Sequence, residues 1–563
     1  MVKWVFNAVY KEVKGLHQAA YVLGAFTLGS QLLALVRDRI LAHQFGAGIE
    51  LDLYYAAFRI PDFLYVLFAS TLSVYVLIPF VADRMSGKGV ASARQLLSEI
   101  FSVFLIAYST LALVVIVAAP NIVSVLFQGF TGSEAETLSS LIRILMLQPL
   151  LLGLSSLLGV ITQFGHRFML YAVSPLIYNI GIIIGLLFLY PRFGMSGLGW
   201  GVVLGALGHL IVQFPFVLKH ELAPRFVHDI AWTDVRQVLM VSVPRALTLS
   251  LHQFVLLGFA AFASLMTVGS ISVFQFAFNL QSVPLAIVGV SYSVAAFPIL
   301  AKLHAEKAYD EFGRLIMNAL RHILFWSLPI IALLIVVRAQ FVRVILGSGA
   351  FDWSDTRLTA AILALFALSL VAQAAHLLLV RALYAVKNTK IPFYATLASS
   401  CIAIIAAIGF YTLMQAHEGF SALLTKMMRL EGVPGIEVLA LPLGYSCALI
   451  LETFILLFIS RRMLMVSART LTKALLRGLA AAAVAGFCAY TTLNFYATGI
   501  EPDTLLTVFF QGFTAAVAGG VGALITYYIL QSPELGEVYH ALHKKLFKTT
   551  ATVGPQDEDQ LAI

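Results

Sequence analysis

"LVRDRILAHQFGAGIELDLYYAAFRIPDF", residues 35–63, sets Arg37, Asp38, Arg39, Asp52, Arg59 and Asp62 among side chains that otherwise suit a lipid bilayer. Apolar runs over 19–41 and 53–81 flank its centre, and each reaches the roughly 20 residues that a helix needs to cross a hydrocarbon core. A charge at such depth costs about 2.5–3.5 kcal/mol on insertion scales, so these residues call for a function or a partner. The rest of the chain supports the membrane reading. Its 563 residues are 60% hydrophobic and 11% charged, with a mean hydropathy of +0.92, more apolar surface than a soluble core requires.

Roughly fourteen such runs follow one another with no long soluble domain between them. They fall at 19–41, 53–81, 96–119, 137–162, 168–190, 194–218, 237–264, 270–299, 315–337, 358–385, 392–414, 437–460, 471–494 and 505–529. Continuous apolar runs mean helices, because barrel strands would alternate. The fold class is therefore an all-α polytopic membrane protein, with kinks where Pro and Gly interrupt the runs. The first run is too long, and too charged at its inner end, for a cleavable signal peptide, so the N-terminus is expected to be retained.

Lys and Arg set the orientation. They fall before the first run (Lys3, Lys11, Lys14) and in alternate loops: Arg84, Lys88 and Arg94; Lys219, Arg225 and Arg236; Lys302 and Lys307; Lys387 and Lys390; Arg461, Arg462 and Arg469. The loops carrying Glu50 and Asp52, Glu134 and Glu136, and Glu501 and Asp503 are nearly free of cations. Both termini should be cytoplasmic, the formal charge of +8 being a topology signal rather than a sign of nucleic-acid binding. A basic surface for acidic lipid headgroups is compatible with the same pattern. Cys401, Cys447 and Cys488 fall inside runs and read as small packing residues, with neither a disulfide framework nor a zinc site. The last stretch, "TTATVGPQDEDQLAI", reads as a disordered tail.

An internal repeat organises the runs. "GHRFMLYAV" at 165–173 and "NTKIPFYAT" at 388–396 each place a basic residue before an aromatic and Tyr-Ala, and "GMSGLG" before the sixth run parallels "GVPGIE" before the twelfth. Two six-helix lobes of equal orientation, 19–218 and 237–460, fit this spacing, with a short segment 1–18 before them, two further helices over 471–530, and a cytoplasmic tail over 531–563. Parallel repeats of this kind belong to transporters, whose substrate site lies between the halves.

With "RD", "FGAG", an Asp four residues on and "AFRIP", the opening stretch resembles the first hairpin of the MurJ (MviN) lipid II flippases, within the superfamily of multidrug and oligosaccharidyl-lipid exporters. So do "QFP" at 213–215, "VPLAIVGVSYSVAAFPILAK" at 283–302, "LGSGAFDWSDTRLTAAIL" at 346–363 and "RALYAVKNTKIP" at 381–392. The resemblance implies two lobes around a central cavity and a groove for a polyprenyl tail formed by the last two helices. It also implies alternating access, which carries a lipid-linked peptidoglycan precursor outward across a bacterial cytoplasmic membrane. The partners it implies are an undecaprenyl-diphosphate-linked glycan, the bilayer and cell-wall synthesis proteins.

On this footing Arg37 and Arg59 are the candidates for contacting the diphosphate, since guanidinium stays charged and offers forked donors to phosphate oxygens. Asp38 and Asp52, at family-matching positions, would orient them or change partner as the cavity opens. The structural alternative makes Arg37 and Asp38 an interfacial pair, with Arg39 snorkelling. The chain also departs from the family. Gln31, Tyr65, Val66 and Ser70 stand where it usually carries charge, and Phe278 and Asn279 where an acid and an arginine are usual. Arg245, just after Pro244, would restore cavity charge or snorkel to the interface.

For coupling, Glu452 and His252 are the candidates, with His209 and His376 also inside runs. An intramembrane acid can bind Na⁺ or a proton, and membrane potential can drive an anion outward. Against this, Glu452 would pair with Arg381 or Arg477, and each His would simply pack. No cofactor is called for. No P-loop, nucleophile elbow or HExxH motif occurs, so the chain is not read as an enzyme. Three readings compete: a lipid II flippase, an exporter of another polyprenyl-linked glycan or amphipathic small molecule, and a non-transporting scaffold of cell-wall synthesis. A lobe interface packed with Phe278, Phe259 and Tyr65 would favour the last.

Overall fold

The computed structural model describes residues 16–69, 72–219, 221–461, 468–497 and 504–546. They form helices joined by short turns, with no strand among them. The first lobe contains α1 (Leu16–Phe45), α2 (Ile49–Ala69), α3 (Val74–Leu126), α4 (Ser133–Phe164), α5 (Phe168–Phe193) and α6 (Met195–Leu218). The second contains α7 (Trp232–Ala263), α8 (Ser270–Ala305), α9 (Tyr309–Leu346), α10 (Trp353–Leu368 continued by Leu370–Ala385), α11 (Lys390–Ala416) and α12 (Ile436–Ser460). Beyond them come α13 (Ala468–Ala497), α14 (Leu505–Ile529) and α15 (Pro533–Leu546).

Among the described residues eleven helices are long and apolar enough to cross a membrane, or twelve if the two halves of α10 count as one span. That is fewer than the fourteen expected. The helix α2 falls outside the count, since Glu50, Asp52, Arg59 and Asp62 crowd its 21 residues.

Several expected spans are broken. The run 53–81 is not one helix: the chain is out of helix at Leu72 and Ser73, and the next helix, starting at Val74, continues to Leu126 with one interruption at Gly89, where φ is +80°. The run 137–162 is divided at Met146. Within 358–385 the chain bends by 47° at Ser369. Both α5 and α8 carry a π-turn, at Gly185–Leu189 and Ala286–Val290, a local widening that lets a helix change direction.

In the first lobe, α1 lies on α5 and α5 on α6. That last pair is tight because a Cβ on Gly181 or Gly185 would stand 2.2 or 2.4 Å from the Cα of Gly205 or Gly201, the close approach that small residues allow in a membrane. In the second lobe α11 packs on α12, and α10 on α8, α9 and α12. The seam between lobes is built by α2 against α7 and α8, α3 against α7, and α1 against α9. The pair α13–α14 leans chiefly on α9: Gly478 meets Leu328, and Gly519 meets Leu333.

The segment from 531 onward, expected as a cytoplasmic tail, begins with a docked helix. Glu534 of α15 is bound by Arg321 Nε of α9 at 2.6 Å, and Leu535 and Val538 pack against Phe325 and Tyr527. Ser532, Pro533 and Glu534 are a helix-start signal that hydropathy alone passes over. The stretch 549–563 and residues 1–15 lie outside the described residues, as do Ser70, Arg462, Glu501 and Asp503.

Candidate functional site

The charges of the 35–63 stretch are brought to the seam by helix geometry. Arg37 and Asp38 come from α1, and Arg59 and Asp62, one turn apart, from α2. Asp52 is seven residues before Arg59, two turns or about 10 Å along the same face.

Arg37 grips Asp38 Oδ1 with Nε at 3.0 Å and Nη2 at 2.7 Å, and its Nη1 donates to Asn179 Oδ1 of α5 at 3.0 Å. The other Asp38 oxygen accepts from Asn279 Nδ2 of α8 at 2.8 Å. Asn279 Oδ1 then accepts from Gln275 Nε2 at 2.7 Å, and Gln275 Oε1 accepts from Arg59 Nη2. The result is one hydrogen-bonded chain, Arg37–Asp38–Asn279–Gln275–Arg59, that leaves the first lobe, runs one turn along α8 and returns. Asp38 and Arg59 are 3% and 5% exposed, so both charges depend on these partners.

The two arginines are not equally satisfied. Arg37 has a carboxylate, whereas Arg59 has the neutral Gln275, and its Nε is buried with no hydrogen-bond partner among the described residues. Asp62 faces Arg59 electrostatically without a close ion pair and accepts a long bond from Gln148 at 3.5 Å. A guanidinium with an open donor toward a polar seam is suited to an anion.

Asp52 stands apart from this chain. Its carboxylate accepts from Gly269 N at 2.6 Å and from Ser272 N and Oγ at 2.8 and 2.5 Å. It thus caps α8 from the opposite lobe, taking up backbone donors that the helix leaves open. Around it the turns interlock: Ala350 N donates to His43 O at 2.9 Å, and Ala47 N to Asp355 Oδ2 at 3.0 Å. Arg39 does not snorkel; its Nη1 bonds Val344 O at 2.6 Å and Ile345 O at 3.1 Å, closing the C-terminal end of α9 where carbonyls lack partners. Far from these turns, Arg84 and Asp234 pair at 2.5 Å between α3 and α7.

Arg245 is half-buried on α7 and lies with Tyr384 of α10, two turns from His252 rather than in the Arg37–Arg59 chain. Glu452 is 2% exposed. It takes neither Arg381 nor Arg477 as its partner: Thr396 Oγ1 donates to its Oε1 at 2.7 Å, and His376 Nδ1 stands 3.5 Å from the same oxygen. Arg381 instead bonds Ser293 at 2.9 Å. His252 sits 6.0 Å from the rings of Phe278 and Tyr445. His209 is engaged by Ser155 at 2.7 Å.

Phe259 and Phe278 do not glue the lobes together. They pack with Phe274, Phe366 and Tyr445 inside the second lobe, and Tyr65 is half-buried. Of the cysteines, Cys401 and Cys447 are exposed rather than packed, while Cys488 lies against Gly522.

Sequence reasoning missed Gln275 and took Asn279 as a loss of charge. The spacing of the two, i and i+4 on one helix, with Asp38 and Arg59 on the facing hairpin, was the available signal.

Two six-helix lobes meeting at a seam of buried arginines and acids define a polytopic membrane transporter. Solved structures share the architecture: "Lipid II flippase MurJ, inward closed conformation" superposes with a TM-score of 0.72 at 23% identity, covering 91% of this chain and 99% of that one. An inward-facing multidrug resistance MATE family transporter of the MOP superfamily gives 0.62 at 13% identity, covering 79% and 96%. Residues 41–510 match the family described as "Lipid II flippase MurJ", and the chain belongs to that family. A probable lipid II flippase MurJ of Buchnera aphidicola subsp. Acyrthosiphon pisum is 30% identical over 377 residues, 66% of this chain and 73% of its own length. Family and helices together make this a multi-pass protein of the bacterial inner membrane.

Proposed function

We propose that the chain flips lipid II, the lipid-linked peptidoglycan precursor, across the cytoplasmic membrane by alternating access. The observation that carries the reading is the relay between Arg37 and Arg59. Both guanidiniums lie at the lobe seam, and the second is held by a neutral amide with an unused Nε. A hydrogen bond from a charged donor to a neutral acceptor is weaker than one to a phosphate oxygen, which is charged as well. A diphosphate entering the seam therefore displaces Gln275 from Arg59, and the bonds that tie α8 to the first lobe lose their anchor.

The charge distribution puts both termini in the cytoplasm. The interlocked turns around Asp52 are then the outer gate, closed, and the site opens inward. The first lobe is 19–218 and the second 237–460, and α13–α14, over 471–530, form the groove for the polyprenyl tail. Cell-wall synthesis proteins receive the flipped lipid. Coupling falls to Glu452, hydrogen-bonded by Thr396 with His376 Nδ1 3.5 Å away, and to His252 nearby, as a proton or Na⁺ site. Membrane potential adds about 2.3 kcal/mol per charge per 100 mV. Arg245, two turns inward from His252, supplies charge on the path to the site. Transport of this kind needs no enzyme chemistry.

A second reading, export of another polyprenyl-linked glycan, draws on Phe278 and Asn279, which give α8 a ring and an amide where the family resemblance implies an acid and an arginine. Complementation of a flippase-depletion strain separates the two. Rescue of growth and surface-exposed lipid II by the wild-type chain, and none by an equally expressed Arg37→Ala/Arg59→Ala chain, supports flipping of lipid II. A correctly inserted wild-type chain that fails to rescue contradicts it.

A further inference from the structure

The helix α15 lies beyond residue 510, where the family match ends, yet it is docked by charged side chains on transport helices. Glu534, with a side chain 4% exposed, is bound by Arg321 Nε at 2.6 Å and by the Ser532 hydroxyl. One turn on, Glu537 meets His322 Nε2 at 2.8 Å and Arg321 Nη2 at 3.5 Å. The His322 ring in turn stacks on Tyr292 of α8, centroids 5.7 Å apart and planes 11° from parallel. Tyr292 is the second residue past the π-turn Ala286–Val290, and the other side of that turn carries Gln275 and Asn279. Contacts thus run from α15 through α9 to the far half of the helix that joins the lobes at the arginines.

We infer that α15 is a clasp that holds the second half of α8 against α9, and that its release shifts the protein away from the described arrangement of lobes. Arg321, His322, Glu534 and Glu537 act as positioning residues, working through Tyr292 on α8. The inference rests on the alternating-access reading above, though not on which headgroup is carried. Three features fit a clasp better than a strut. The family match ends at residue 510, before α15 begins. The apolar part of its seat is small, chiefly Leu535 and Val538 against Phe325 and Tyr527. Its ionic part is loosely satisfied, with Glu537 46% exposed and His322 Nδ1 buried without a hydrogen-bond partner among the described residues. The π-turn Ala286–Val290, two residues before Tyr292, gives the clasp its lever.

Double electron–electron resonance on the full chain tests this, with spin labels at Lys88 and Lys302, exposed positions on α3 and α8, in nanodiscs without substrate. Glu534→Gln/Glu537→Gln should expose the segment after residue 531 to protease and change the ratio of the two distance populations about two- to fivefold, the range for losing part-exposed ion pairs. The charge swap Arg321→Glu/Glu534→Arg should return the ratio toward wild type. Tyr292→Leu should shift it while α15 stays protected, an effect that a purely structural role would not give. Release of α15 with an unchanged ratio overturns the clasp, as does a shift that the swap fails to reverse. A wild-type chain that keeps one distance with and without lipid II overturns the clasp and the alternating-access reading together.

Discussion

Asn279 of the second lobe donates to Asp38 of the first at 2.8 Å, and that bond decides how Arg37 is presented. One Asp38 oxygen holds Arg37 and the other holds α8, so the acid cannot release the arginine without consequence for the lobe seam. A side chain that looks like a missing charge in the sequence is the donor that makes this seam work.

Asn279→Leu should destabilise the protein by about 1–3 kcal/mol, the cost of leaving a buried acceptor without its donor. Asn279→Asp should cost more, since two carboxylates would then face each other. Thermal unfolding in detergent at neutral pH checks the order. A leucine variant less stable than the aspartate variant would contradict the assignment of Asn279 as donor.

Much of the architecture is legible in the sequence because lipid demands continuous apolar runs, and runs are what the eye finds. The breaks are not legible in the same way. Ser73, Gly89, Met146 and Ser369 interrupt helices for reasons of local geometry, within or beside apolar stretches whose hydropathy barely changes. At the site, Arg37, Asp38 and Arg59 stand out because charge is expensive in a membrane. Gln275 and Asn279 do not, since an amide is cheap enough to be overlooked. The partner of Asp52 is a pair of backbone N–H groups 217 and 220 residues away, which no side-chain pattern announces.

Asp52→Ala should unfasten the cap of α8 and with it the gate, at a cost of about 0.5–2 kcal/mol, the usual worth of a helix cap. Cysteine labelling at Thr267, beside the capped turn, should accelerate relative to the parent chain. Unchanged labelling would mean that the cap is not part of the gate.

Gly129 tests the gate by steric means alone. A Cβ there would stand 1.6 Å from the carbonyl oxygen of Ser264, and a backbone atom cannot rotate aside. Gly129→Ala should hold the end of α3 away from the end of α7 and shift the protein toward the outward-open form. The same labelling assay reads it, with faster modification of Thr267→Cys expected and wild-type rates contradicting it.

The docking of α15 should depend on pH. Burial works to raise the Glu534 carboxyl, but the Ser532 hydroxyl, its own backbone N–H and the Arg321 guanidinium outweigh it and hold the group below the ordinary 4.5. A carboxyl lowered on docking contributes fully above pH 4.5 and loses that contribution as pH falls through the docked value. Protection of the 531–546 amides, taken relative to their intrinsic exchange rates at each pH, should therefore stay high at neutral pH and fall in acid, and Glu534→Gln should flatten the response. Protection that strengthens in acid would reverse the sign.

The central claim, that Arg37 and Arg59 together receive the diphosphate, is tested most directly by binding. Purified wild-type chain, Arg37→Ala, Arg59→Ala and the double variant would be titrated by native mass spectrometry with lipid II and with undecaprenyl monophosphate. The account predicts preference for the diphosphate in the wild type, a loss of about tenfold or more in each single variant, from about 1.5–3 kcal/mol per charged hydrogen bond, and no preference in the double. Diphosphate binding that survives loss of both arginines would contradict it.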